Sequence, residues 1–166
     1  MKKLLTVITL VLCFAARSST QITLYNQTFN DPAAPELPGG WFATSDQILT
    51  NASSPSNGYA GASGGNNLLS RNCNPNGESR AFQVDGISTL NYTGLTVSFG
   101  HRRTNSFTPA VTLEWSSDGS VWNNIAYNSG SAGTTWSLFT SAPLPAGADN
   151  QASLSFRWTY TTSVGN

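Results

Sequence analysis

The sequence predicts an all-β protein, an antiparallel sandwich of two sheets, on three observations. Apolar and polar residues alternate with period two in several segments, as they do in strands with one face in a core and one face in solvent. After residue 20, no segment carries apolar residues at i, i+3, i+4 and i+7 for more than a turn, which excludes a helical fold. Gly and Pro occupy 23 positions spread along the chain, supplying a turn signal about every dozen residues.

The elements follow in order. Ile22 and Leu24 alternate with Thr23 and Tyr25, and weaker strands are expected at 41–44, 47–50, 67–70 and 79–84. Leu95, Val97 and Phe99 alternate with Thr96, Ser98 and Gly100, in a strand drawn from Leu95 to Arg103. Val111, Leu113 and Trp115 then alternate with Thr112, Glu114 and Ser116. Ser117-Asp118-Gly119-Ser120 separates that strand from Val121, Trp122 and Ile125, and an Asp-Gly pair between strand residues signals a hairpin. A weaker strand is expected at 134–140, and Leu154, Phe156, Trp158 and Tyr160 alternate with Ser155, Arg157 and Thr159. Two long Gly/Pro/Asn/Ser loops, 31–40 and 51–67, are of a kind that compact domains keep for binding or ordering.

Met1-Lys2-Lys3 followed by the apolar run Leu4 to Ala16 reads as a secretory signal, too short for a transmembrane helix. Cleavage after Ala15, Ser18 or Thr20 makes residues 1–20 a signal peptide and 21–166 a single sandwich domain. The expected location is therefore secreted or at the cell surface, with no membrane insertion once the signal is removed. Leu12 stands where a small residue precedes a lipidated cysteine, which argues against lipid attachment at Cys13. Cys73 is then the single remaining thiol and reads as a loop or half-buried residue without chemistry. A strand through Tyr160 is followed by a turn up to Asn166. One further strand is the natural continuation, so the domain is expected to be incomplete at its C-terminus or completed by a partner strand.

Charged residues make up only 10% of the chain, against about 25% in an average domain. Ser, Thr and Asn supply 57 residues, so the surface is polar yet sparsely charged. Beyond residue 20 there is no lysine, and five arginines face eight carboxylates for a net charge of −3. A nucleic-acid partner needs a basic stripe to displace counterions from phosphate, and that class is set aside.

Candidate chemistry is thin. Gly61-Ala62-Ser63-Gly64-Gly65 fits G-x-S-x-G, but it follows no buried strand and precedes no helix, so it reads as a glycine loop. His101 is the only histidine and lies at a strand end, where a structural hydrogen bond is the default reading. One His and one Cys cannot assemble a zinc site. Structural calcium at Asp31, beside Asn30 at the start of a long loop, is the weaker alternative to a turn-capping aspartate, and no other cofactor is expected. Ser116 to Trp122 is similar to the Asp-box of sialidase propellers, but it occurs once and with the glycine displaced, which leaves a hairpin with a packing tryptophan. Asn26, Asn51 and Asn91 begin glycosylation sequons, which carry no meaning behind a bacterial-looking signal.

Glu114 is the only acid on a strand's polar face, too few for the paired carboxylates of glycoside hydrolysis. Two readings of it stay open. It forms a cross-strand ion pair with Arg102 or Arg157, or Arg102, Glu114 and Arg157 together line a concave face that binds sugar hydroxyls. Tyr59, Phe107 and Trp136 fall outside the alternating core pattern and are the candidate stacking platforms, each also readable as packing.

Three stretches carry a resemblance: Gly58 to Leu68; Leu95 to Arg103; and Val111 to Gly119 together with Trp122, Trp136, Leu144-Pro145 and Phe156-Arg157. Over most of residues 22–164 the chain resembles the secreted jelly-roll domains, similar to LamG, MAM and carbohydrate-binding modules, of bacterial surface proteins exported by the type IX system. That resemblance implies a jelly-roll sandwich lacking its final strand and, as partners, a polysaccharide, a surface glycan or other domains of a longer chain. It leads to the expectation of a non-catalytic extracellular binding, adhesion or spacer module. The alternative is a secreted hydrolase of polysaccharide, or an accessory domain of one. Likeness of fold cannot choose between them.

Overall fold

A computed structural model describes residues 21–31, 34–71 and 75–163; the signal segment, Cys73 and the end of the C-terminal turn lie outside these described residues. The chain is all-β. Nine strands are described: β1 (Trp41–Ala43), β2 (Ile48–Asn51), β3 (Asn67–Ser70), β4 (Ser79–Ile87), β5 (Ser98–His101), β6 (Thr112–Ser116), β7 (Asn123–Ile125), β8 (Ser137–Thr140) and β9 (Leu154–Thr161). They form a five-stranded antiparallel sheet in the order β1-β4-β9-β6-β7 and two antiparallel pairs, β2-β3 and β5-β8. No helix among the described residues is long and apolar enough to cross a membrane.

The alternation read from the sequence decides which side of the large sheet is dry. Leu154, Phe156, Trp158 and Tyr160 of β9 are buried, as are Val84 of β4, Leu113 and Trp115 of β6 and Ile125 of β7. Leu113 and Leu154 have no exposed surface, and full burial of such a side chain stabilises by about 1.5–3 kcal/mol. The pair β5-β8 covers this face: Phe99 meets Trp158 edge-on at 5.5 Å and packs with Tyr127 at 5.4 Å and Phe139 at 5.0 Å. Its ladder continues past the regular strands, because Ser141 and Leu144 donate to the carbonyls of Val97 and Leu95.

Two local devices shape the large sheet. Between Val84 and Ile87 strand β4 carries one more residue than β9, and Gly86 takes up this bulge at φ +79°. In the β6-β7 hairpin the Asp118 carboxylate accepts from the backbone N–H groups of Val121 and Ser120, each at 2.8 Å, and from the Ser116 hydroxyl at 3.0 Å. Those bonds favour its charged form and hold its pKa down at about 2.

The β2-β3 pair is tied in at one end of the core. The Arg71 carbonyl, just after β3, accepts from the Tyr160 hydroxyl at 2.9 Å and the Arg80 guanidinium at 3.1 Å. Arg80 is buried, and Glu78 pairs with it at 2.6 Å.

One expected strand is absent. Residues 22–25 form no ladder, and Ile22 and Tyr25 remain 60% and 41% exposed. Two apolar positions bury too little surface to hold a strand, and this segment is instead pinned by side chains: the Trp41 indole donates to the Tyr25 hydroxyl at 2.7 Å, and Phe29 meets Trp41 at 4.9 Å. The strand drawn from Leu95 to Arg103 is regular only over β5.

Candidate functional site

The register of β5 on β8 builds a cleft at one end of the pair. His101 faces Ser137 at the end of the ladder, and the residues next beyond it, Arg102 and Trp136, both line the cleft. Phe99 and His101 turn toward the core, which sends Gly100 and Arg102 to the outer side. Thr134, Thr135 and Trp136 form one wall of an open cleft of about 300 Å³, with Arg102 beside them. Ser53, Ser54, Pro55 and Asn57, from the long loop between β2 and β3, form the other.

That loop is held in place by its own hydrogen bonds. Ser56 accepts from Gly64 at 2.8 Å and donates to Gly65 at 3.0 Å through the backbone, and the buried Asn67 side chain donates to the carbonyls of Ser54 and Asn51. Tyr59 anchors it to the sheet. Its ring lies directly on Gly100, where an added Cβ would stand 2.1 Å from the phenol oxygen, so only glycine leaves room. The Tyr59 and Ser56 hydroxyls are 2.5 Å apart, and the Tyr59 ring lies 6.5 Å from that of Trp136.

Two features define what the cleft offers. The Trp136 indole nitrogen is buried without an acceptor among the described residues, so its N–H turns into the protein and the cleft meets ring carbon. Arg102 donates from Nε to the Thr134 carbonyl at 2.8 Å, which fixes the plane of its guanidinium. Its terminal nitrogens have no partner among the described residues.

Glu114 and Arg157 stand elsewhere. They face each other across β6 and β9 on the outer side of the five-stranded sheet, where Arg157 donates to one Glu114 oxygen from Nε at 3.0 Å and Nη2 at 2.8 Å. Trp122 closes over this pair, with the guanidinium carbon 4.0 Å from its ring centre. Arg102 does not join them, because it leaves a strand of the opposite sheet; the single face expected to carry all three is in fact two. Gln83 lies beside Arg157 on β4 and donates to Asp85 at 2.7 Å.

The remaining candidates divide. Phe107 packs on Tyr160 at 5.5 Å, away from both sets. Asp31 is exposed, and among the described residues no group of three or more His, Cys, Asp or Glu comes together that would hold a metal ion. Ser63 sits in the glycine loop, with neither strand nor helix around it. His101 is buried among Phe99, Tyr127 and Phe139, and its Nδ1 lies 3.0 Å from the Tyr127 hydroxyl. Burial lowers the His101 pKa and pushes that of Tyr127 up to about 12.

Reading by sequence missed Trp122 as the cover of an ion pair, and also the loop residues that wall the cleft. Gly100 was the available signal for the second, since a glycine in a strand marks close approach by another group. Comparison with protein-family models, with curated proteins and with solved structures returns no match.

Proposed function

We propose that the chain is a secreted, non-catalytic binding module of jelly-roll type, and that the cleft between Trp136 and the 51–67 loop takes a saccharide. The observation that carries this reading is the make-up of the cleft: an indole offering carbon, a fixed arginine, and Ser, Thr and Asn side chains around them. A pyranose has an apolar C–H face that stacks on an aromatic ring and hydroxyls that both donate and accept hydrogen bonds. A site with one aromatic surface and several neutral polar groups matches that pattern.

His101, the one histidine, is used up inside the aromatic core against Tyr127, which favours binding over acid–base chemistry. Titration of the purified chain with soluble hexasaccharides, followed by indole fluorescence, tests the saccharide reading. Saturable quenching that is lost in Trp136→Ala is the expected result. No response to any saccharide, with no retention on insoluble polysaccharides, would leave a spacer or adhesion domain instead.

A further inference from the structure

We infer, on the basis of the saccharide reading, that the sugar this cleft takes is anionic, with Arg102 receiving its carboxylate or sulfate. Of the five arginines beyond residue 20, Arg71, Arg102 and Arg103 have no carboxylate partner among the described residues, and of these three only Arg102 lines the cleft. Arg80 is neutralised by Glu78 at 2.6 Å and Arg157 by Glu114 at 2.8 Å. Arg102 has no carboxylate partner among the described residues, and no aromatic face covers it. The cleft walls contain no Asp or Glu, so the cleft is locally positive on a domain whose net charge beyond residue 20 is −3.

The geometry suits a planar or tetrahedral anion. With Nε donated to the Thr134 carbonyl, the guanidinium is held in plane and its Nη1 and Nη2 donors are left for a ligand. A fixed fork of this kind matches the oxygens of a carboxylate or sulfate group and loses less freedom on binding than a mobile lysine would. Trp136 and Arg102 line the same cleft, so a sugar ring resting on the indole brings its charged substituent toward the guanidinium. Neutral sugars meet the same indole and hydroxyls but leave the charge unanswered.

The test titrates the purified chain with an oligogalacturonate hexamer, its fully methyl-esterified counterpart and a sulfated hexasaccharide, each at low and at physiological salt. The hexamer acid is expected to bind at least about tenfold more tightly than its ester, since a hydrogen bond to a charged group is worth that much. Arg102→Gln is expected to reduce the acid to the affinity of the ester, with the unfolding midpoint unchanged. Added salt is expected to weaken the acid and leave the ester alone. Tighter binding of the sulfated hexamer than of the uronate would identify sulfate as the group received. Equal affinity for acid and ester, or an Arg102→Gln variant that binds the acid as before, would overturn the inference. If Trp136→Ala still abolishes binding in that case, the saccharide reading survives it; if nothing binds, both fail.

Discussion

Arg157 and Arg102 each sit beside a tryptophan, on outer faces of opposite sheets, and they are in different states. Around Arg157 the charge is answered: Glu114 takes two of its N–H groups, Trp122 covers the guanidinium, and the ion-pair side chains are only 27% and 21% exposed. Around Arg102 one N–H is fixed by a backbone carbonyl and the charge is left open toward a polar cleft. The same two residue types therefore make a closed structural joint in one place and an incomplete one in the other. The closed joint ties strand β6 to β9, whereas at Arg102 the Nη donors are left for the proposed ligand.

The most severe way to break this contrast is to remove the floor under both regions. Trp158 stacks on Phe82 at 5.1 Å and Trp41 at 5.9 Å and meets Phe99 from the opposing sheet. Trp158→Ala is expected to cost about 3–5 kcal/mol in chemical denaturation and to disable both regions at once.

Gly100→Ala acts on the cleft alone. Its new Cβ displaces the Tyr59 ring, so a loss of about 1–3 kcal/mol is expected, together with weaker saccharide binding, although Gly100 itself is not among the cleft-lining residues. Glu114→Gln is the mirror-image test: it leaves the Arg157 charge partly buried without its counter-ion. A loss of about 1–2 kcal/mol is expected in equilibrium unfolding, with saccharide titrations unchanged. A variant of Glu114 that lost binding without losing stability would move the proposed site to the other sheet.

The acid limb of stability is smaller again. Burial lowers the folded-state pKa of His101, so the unfolded chain takes up a proton first as pH falls. The stability due to neutral His101 is complete above pH 6.5 and is lost as pH falls from there toward the lowered folded value. A His101→Phe chain is expected to show a flatter melting temperature between pH 7 and 5. The Asp118 turn has a separate window: its contribution is present above about pH 4 and is lost as pH falls toward its folded pKa of about 2. Arg102→Gln is expected to have the smallest effect on stability, within about 0.5 kcal/mol, because the side chain is exposed.

Much of this molecule could be read from the alternation of its residues. Period two placed Leu113, Trp115, Phe156 and Trp158 on one buried face, and with them Glu114 and Arg157 on the other, because successive side chains in a strand point to opposite sides. The Asp-Gly pair marked the hairpin, since its turn is a local matter of backbone angles and one carboxylate. Alternation over only two apolar positions misled at 22–25, where the segment is held by Trp41 instead of a ladder.

Which strands neighbour one another was decided by the tertiary structure, because strand order arises from contacts between residues far apart in sequence. Arg157 and Glu114 are 43 positions apart and are paired by the β6-β9 register, while Arg102 is assigned to the other sheet by the β5-β8 register. Trp136 shares a cleft with Arg102 at the end of the β5-β8 ladder, and Tyr59 reaches Trp136 through the room left at Gly100. The sequence determined which residues face solvent, through a periodicity written locally; only the packed sheets determined which arginine meets a carboxylate and which is left open.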